Sequence, residues 1–587
     1  MRLRSLADRA LGLWRSPMGK VLAAALVLRL AGLTWGMPSY DGWDNDGVAP
    51  RDFLVGVVET YTPGHHFTYP PLHLLLLTVV EAPVWIAALL RAPALTPQAV
   101  IPVFITIPTM TAMAVIARAV AALLSLGLLW NLGEIGALLR GPGPGSGTNE
   151  RAERARVWVA VACGLDAVLT YYGQVTNLDL PYLFWSVFGL RFVVQAIVRR
   201  EPRALRKAVV LAALGVATKD QAYALFVLGV PLALAVWLVL EPGARRLVPA
   251  IARELGLGIA IGLPLLLLLD GAITNPSGFR DRVHYLLGPA SQDFAIYPAT
   301  WAGRRQVAID VLASFDKFYP WGFALLVLAG LVVAWRAPDR ARRAAGLVPL
   351  FAVVSFIVAF DMSARRSEHR FALPSMVLFG IYAGLALDAL DERFAALVSW
   401  RRRAARGAVA VVLAYALFQC VAVDVAMLLD PRYDAEAWMK EHVHDGDKVE
   451  VYGSNVQLPR LPANAALERV DLDRVEGRNP ILGVTEVTDR FSNVEARRPK
   501  FIIVPAFWAI RWLVEPDRGE PSGQMLTPGQ QRLEGDGDSR DYFHALLAER
   551  LDYRLAHVSR WTSTFWPQVD IHASLTREVW LFERKGE

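Results

Sequence analysis

Apolar residues come in runs of membrane-spanning length along this chain, and short arginine-rich polar segments separate them. About 20 apolar residues cross a bilayer as a helix, and basic loops stay on the inner side. The pattern predicts eleven spans: 21–36, 113–138, 157–172, 181–198, a pair within 208–240, 254–270, 320–335, 345–361, 371–390 and 407–429. Arg2, Arg4, Arg9, Arg15 and Lys20 precede the first run, which reads as a retained span with the N-terminus inside. The count puts the C-terminus outside. Residues 37–112 hold only Arg51 and Arg91 as basic residues, as expected of a large first outer loop. The apolar run 71–90 lies in that loop. Parity favours a helix along or dipping into the outer face. The alternative makes 71–90 a true span, with two shorter spans within 98–138.

The pattern changes after residue 430. Asp434 to Val443 and Asp541 to Leu551 read as helices. Val449 to Tyr452, Phe501 to Val504 and Glu578 to Phe582 read as strands, and 515–540 as a mobile loop. The expected organisation is therefore an α-helical polytopic membrane domain, 1–430, followed by a small extracytoplasmic α/β domain, 431–587.

Composition agrees: of 587 residues, 54% are hydrophobic and 20% charged, with mean hydropathy +0.33. The net charge of +6 reflects inner loops and does not point to nucleic acid. Cys163 and Cys420 both lie in apolar runs, which argues against a disulfide framework or a cysteine metal site.

Charged residues near membrane spans are functional suspects, because an unpaired charge in hydrocarbon is costly. The suspects fall on the outer side of this topology. Asp44 and Asp46 alternate in the segment Tyr40-Asp41-Gly42-Trp43-Asp44-Asn45-Asp46-Gly47, directly after the first span. Residues two apart in extended chain share a face, so these carboxylates suit a cation, a proton or a base. Asp179 follows Asn177 in the next outer loop, where it could also cap a helix. Lys219-Asp220 lies in the third and could form a pair. Arg365, Arg366, Glu368, His369 and Arg370 crowd a short outer turn, against the positive-inside trend. A phosphate would compensate such cations, since guanidinium binds it with forked, charge-assisted bonds. Carboxylates and cations on one face suit transfer from a phosphate leaving group. The carboxylate takes the proton of an acceptor hydroxyl, and the cations stabilise the phosphate. His65-His66 reads as ordinary loop, and Asp166 and Glu134 as helix-contact residues. No catalytic constellation stands out beyond 430.

Several short motifs occur in a familiar order: the Asp-bearing first loop, Tyr69-Pro70-Pro71-Leu72, Asp179, Ala217-Thr218-Lys219 and His369-Arg370-Phe371-Ala372-Leu373-Pro374. Asp430-Pro431-Arg432-Tyr433-Asp434-Ala435-Glu436-Ala437-Trp438 and Gly446-Asp447-Lys448-Val449 follow. The chain thereby resembles the GT-C superfamily of polytopic glycosyltransferases, especially bacterial relatives of protein O-mannosyltransferases and lipid A aminoarabinose transferases. The resemblance implies inverting transfer of a hexosyl or pentosyl unit from a polyprenyl-phosphate donor to a protein, lipid or glycan acceptor. It implies a site on the outer face of a bacterial inner membrane. It assigns the first-loop acid to Asp44 or Asp46, where the mannosyltransferases carry Asp-Glu and this chain has Asp44-Asn45-Asp46. The second-loop acid maps to Asp179 and the lipid-phosphate arginine to Arg370, with Lys219, Arg365 and His369 beside it as donor-phosphate ligands. It also places the Pro-Pro-Leu helix at the outer surface. Many members need no metal, and no cofactor is expected. The alternative from another class is a flippase for a lipid-linked saccharide, which would concentrate paired charges near mid-membrane.

Overall fold

The computed structural model describes residues 15–141, 150–288, 294–396, 398–513 and 537–586. The expected loop 515–540 lies mostly outside them. The chain forms two compact units. One contains residues up to Leu33, Asp52–Val80 and Ala117–Val421; the other contains Thr34–Arg51, Glu81–Ile116 and Ala422 onward.

The first unit is helical. Among the described residues of the whole chain, seven helices are long and apolar enough to cross a membrane, or nine if each of two broken pairs is one span. Helices cover every run expected to span. Four of them stay at 14 or 15 residues: Pro17–Leu30, Glu150–Gly164, Arg203–Val216 and Gly322–Trp335. Local chemistry shortens them. Asp166, expected as a contact residue, caps a new helix at Ala167–Tyr172 by accepting from Leu169 N at 2.8 Å. The run 71–90 is split at Glu81 into Leu72–Val80 and Ala82–Arg91.

The helix His369–Ala395 is buried along most of its length. Small residues allow close approach to its neighbours. A Cβ on Gly384 would stand 2.3 Å from the Val159 Cα, and one on Gly330 would overlap the Tyr382 carbonyl. The same helix carries a buried carboxylate, Asp388, that receives Arg140 Nε and Arg154 Nε, each at 2.6 Å. Glu392 one turn on takes Arg140 Nη2 at 2.9 Å and Arg151 Nη2 at 3.2 Å. Glu134 pairs with Arg156, Nε lying 2.8 Å from its carboxylate, so it too ties helices together.

The second unit is built on a six-stranded sheet: β1 Lys448–Val451, β2 Ala466–Asp471, β3 Thr485–Thr488, β4 Phe501–Pro505, β5 Tyr553–Ser559 and β6 Val579–Arg584. Its order is β3-β2-β1-β4-β6-β5. The first four strands are parallel, and β6 closes antiparallel on both β4 and β5. Side chains alternate faces along each strand. Val449, Val451, Phe501 and Ile503 pack with Ala435 and Met439 of the helix Pro431–His442 on one face. Tyr452, Ile502, Val504 and Phe582 pack on the other with Phe491, Trp508 and Phe543. Buried Glu450 is held by Arg497 and by Tyr452 OH. Strands β1, β4 and β6 fall on the expected runs. Strands β2, β3 and β5 were not expected. The helix expected at 541–551 runs instead over Gly537–Leu547, because Glu549 takes a left-handed backbone that ends it.

This unit also contains the chain segment Thr34–Arg51, which lies far from the sheet in sequence. A buried ion pair holds it. Asp430 accepts Arg432 Nε at 2.8 Å and Nη2 at 2.7 Å through its two carboxylate oxygens, and Trp35 Nε1 donates to it at 3.1 Å. The Arg432 guanidinium lies 4.1 Å from the Trp43 ring centre and 5.4 Å from that of Trp35. Arg432 Nη1 also donates to the Val456 carbonyl after β1, at 2.7 Å. Gly36 N donates to Tyr433 OH at 3.0 Å. Removing one member of a buried pair strands the other charge, at a cost of about 3–5 kcal/mol. Arg432→Met should therefore lower the thermal unfolding midpoint of the full chain in detergent. The double variant Asp430→Asn/Arg432→Met should recover part of the loss, as a thermal shift series will measure.

Candidate functional site

The acidic loop is shaped before it is charged. Gly36 has a left-handed backbone (φ 71°), and a Cβ there would stand 2.8 Å from the Trp43 ring. Glycine thus lets Trp43 fold back over the chain and bury, 2% exposed. Gly42, also left-handed, turns the chain into Trp43. Asp41 is consumed by an ion pair with Arg51 and a hydrogen bond from Asn455. With Trp43 anchored, the next three residues are presented against the β5–β6 connection. Asn45 N donates to Ser574 Oγ at 2.8 Å. Asp46 N donates to Asp44 Oδ1 at 3.3 Å.

The two carboxylates differ in access. The Asp44 side chain is 4% exposed and that of Asp46 19%. Both face one imidazole: His572 Nε2 lies 2.9 Å from Asp46 Oδ2 and 3.8 Å from Asp44 Oδ1. Nothing in the sequence marked His572, since it stands 526 residues from Asp46 in a loop without a motif. Its one local signal is Asp570-Ile571-His572-Ala573-Ser574, a polar cluster just before an apolar strand.

The remaining expected residues lie in the helical unit. Asp179 opens the helix Asp179–Arg199, and its own N–H is received by Asn177 Oδ1 at 2.7 Å. Its carboxylate does not cap that helix. Lys219 Nζ donates to Asp179 Oδ1 at 2.6 Å, and Gln221 Nε2 donates to the same oxygen at 3.1 Å and to Tyr182 OH at 2.8 Å. Lys219 and Asp220 therefore do not pair with each other: Asp220 binds the buried Arg282, whose guanidinium also faces the Phe67 ring at 5.1 Å. Buried Asp270 lies close to this pair. The Ala217 carbonyl accepts from Leu72 N at 3.0 Å, so the start of the Pro-Pro-Leu helix is tied to the segment carrying Lys219.

The arginine turn has its own scaffold. Arg365 adopts a left-handed backbone, φ 53°. Its carbonyl accepts from Ile296 N and Tyr297 N, and its Nη1 donates to the Tyr297 carbonyl at 3.0 Å. Arg370 Nε is 2.7 Å from Glu368 Oε2, and its guanidinium faces Phe371 at 4.8 Å. Arg366 faces Phe371 and Phe294. His369 begins the buried helix, its ring edge-on to Phe318. Thus Arg365 is engaged partly in holding the 296–297 chain, and Arg370 is partly neutralised by Glu368. Among the described residues no three His, Cys, Asp or Glu side chains form a group that could hold a metal ion.

The chain is thus mostly helical with apolar helices of membrane-crossing length, carrying an α/β unit that holds an acidic loop. No family model and no curated protein matches it. Among solved structures it is similar to ArnT from Cupriavidus metallidurans in the apo state, at 14% identity and TM-score 0.45, covering 96% of this chain and 97% of that one. It is similar also to the same protein bound to undecaprenyl phosphate, at 15% identity and TM-score 0.47, with the same coverage. ArnT is a lipid A aminoarabinose transferase, a GT-C enzyme. The motifs of this chain resemble that group.

Lys219 stands against a fully buried carboxylate, so its role in the fold can be separated from any role in binding. Lys219→Met should destabilise the protein by about 3–5 kcal/mol through the stranded Asp179 charge. Lys219→Met/Asp179→Asn should be closer to wild type in thermal unfolding in detergent.

Proposed function

We propose that this chain is an inverting glycosyltransferase of the GT-C kind, moving a sugar from a polyprenyl phosphate to an acceptor hydroxyl. The observation that carries this reading is the pair Asp44 and Asp46. One carboxylate is buried and the other partly open, with both held in a turn built by Trp43 and closed by His572. The motif order, from the first-loop acids to Arg370, supports the same reading.

In this reading Asp46 is the base. The acceptor oxygen attacks the anomeric carbon from the side opposite the phosphate, and its proton passes to Asp46. The bond from the anomeric carbon to the phosphate oxygen breaks, and polyprenyl phosphate leaves with the electron pair. Arg370, Arg365 and His369 offset the charge gathering on that phosphate. Lys219 contributes to the same task while holding Asp179, which positions the acceptor. Asp44 stays buried, accepting the Asp46 N–H to keep the turn in place. We read the chain as eleven spans with the N-terminus inside and residues 431–587 as an outer domain, a topology in which all these residues face the extracytoplasmic side of a bacterial inner membrane. A hexosyl or pentosyl unit and a protein, lipid or glycan acceptor all suit this chemistry.

Mass spectrometry of envelope glycans, glycolipids and glycoproteins, with and without the gene, identifies the product. Purified protein in detergent should then form it from the matching polyprenyl-phosphate sugar, where transport plays no part. Asp46→Asn should lower the rate at least about 100-fold, the usual scale for losing a general base, and Asp44→Asn should cost less. Full activity in both variants sinks the assignment, and a dead Asp44→Asn beside an active Asp46→Asn moves the base to Asp44.

A further inference from the structure

We infer that Asp361 is a specificity residue of the donor site, accepting hydrogen bonds from ring hydroxyls of the transferred sugar. The inference rests on the reading of this chain as a polyprenyl-phosphate sugar transferase.

Asp361 is fully buried within Arg340–Ala364, a stretch long and apolar enough to cross a membrane. Elsewhere in the helical unit, buried Asp388 takes two arginines, and Asp179 takes Lys219 and Gln221 on one oxygen. Neither oxygen of Asp361 is hydrogen-bonded among the described residues. An acid left so deep without a partner is costly whether or not it carries its proton. Its backbone is irregular as well. Ile357–Asp361 forms a single π turn, a distortion that recurs at functional sites. Aromatic packing holds that turn: the Phe360 ring centre lies 5.3 Å from that of Phe356 and 5.2 Å from that of Phe371.

The neighbours of Asp361 indicate what it meets. The turn Asp220–Leu225 packs on the π turn, with Tyr223 OH donating to the Ala359 carbonyl at 3.0 Å. Ser355 Oγ ties the same segments, donating to the Ala224 carbonyl at 2.5 Å and accepting Leu228 N at 3.0 Å. Asp361 lies close to Tyr182, whose hydroxyl receives Gln221 Nε2. Gln221 in turn reaches the Asp179 oxygen that holds Lys219. Toward the chain's C-terminus, Asp361 is one turn ahead of Arg365, its carbonyl accepting Arg365 N at 2.9 Å. Lys219 and Arg365 are both read as ligands of the donor phosphate. A carboxylate repels phosphate, so Asp361 does not join them. The group bonded directly to that phosphate is the sugar, and a sugar is rich in hydroxyl donors. One carboxylate can accept two adjacent hydroxyls, one on each oxygen. Such a site discriminates, because a sugar lacking the hydroxyl leaves a buried acceptor unpaired.

The test uses the full chain in detergent and two probes: the polyprenyl-phosphate sugar that matches the product found above, and polyprenyl phosphate without a sugar. Asp361→Leu should weaken binding of the first at least about 10-fold, the scale of hydrogen bonds to a charged group, and leave the second unchanged. Asp361→Asn keeps one carbonyl acceptor and should lose less, still on the sugar-bearing probe alone; it decides the matter if the Leu variant does not fold. Without ligand, the thermal midpoint of Asp361→Leu should stand at or above wild type, since an apolar side chain of similar size replaces an acid without a partner. A residue that only holds the fold gives the opposite pattern, a lower midpoint with equal weakening of both probes. That pattern, or wild-type affinity of both variants for the sugar-bearing probe, overturns the inference while the transferase reading stands. Wild-type protein that binds neither probe instead overturns the transferase reading itself.

Discussion

The α/β unit depends on one buried ion pair. Asp430 and Arg432 meet through both carboxylate oxygens, almost without solvent, between the rings of Trp35 and Trp43. A pair so deep is expensive to desolvate and is stable only when every remaining donor finds an acceptor. Arg432 meets that condition with the Val456 and Ser574 carbonyls, and Asp430 with the indole N–H of Trp35. These partners are a first-loop residue, a residue after β1 and a residue before β6. The pair therefore does more than stabilise: satisfying it requires three distant chain segments to arrive at one place. The acidic loop is presented because that condition is met.

From this follows the unequal treatment of the aspartates. Asp41 is neutralised by Arg51 and Asn455 and serves the fold. Asp44 is buried and accepts a backbone N–H. Asp46 keeps a partly open side chain, with His572 Nε2 2.9 Å from one oxygen. The helical unit repeats the theme with different chemistry. Asp179 is fully buried against Lys219 and Gln221, Asp220 against Arg282, and the arginine turn is braced by Glu368 and the 296–297 backbone. Charges that look free in the sequence are largely committed to partners.

Much of this was legible in the chain. Apolar run lengths and arginine placement marked the helices, since hydrophobic burial and inside charge act over windows of about 20 residues. β4 was clear as an apolar run buried on both faces, and β1 and β6 by their valines and aromatic residues. β2, β3 and β5 were missed because Glu468, Arg469, Glu486 and Arg554 interrupt them, and each of these pairs with a residue on a neighbouring strand. Asp179 was legible as important but not in its partner: a capping residue and a buried ion-pair partner look alike until Lys219, 40 residues away, is brought to it. His572 was invisible for the same reason at larger scale. A lone histidine has no periodicity, and only the Asp430–Arg432 clamp reveals what it faces.

The doublet Asp44-Asn45-Asp46 departs from the Asp-Glu of the mannosyltransferases, and the geometry gives that departure a physical meaning. In Asp-Glu the acids are adjacent and point to opposite sides of an extended chain. Separated by Asn45 in a turn, the two aspartates both face His572, and two carboxylates that close repel unless something stands between or divides their environments. Both solutions are present here. The His572 ring sits against one, and burial separates the other from solvent. Asn45 contributes the backbone N–H that pins the turn to Ser574, so the inserted residue anchors the loop it lengthens. The spacing, the serine and the histidine thus meet in one turn.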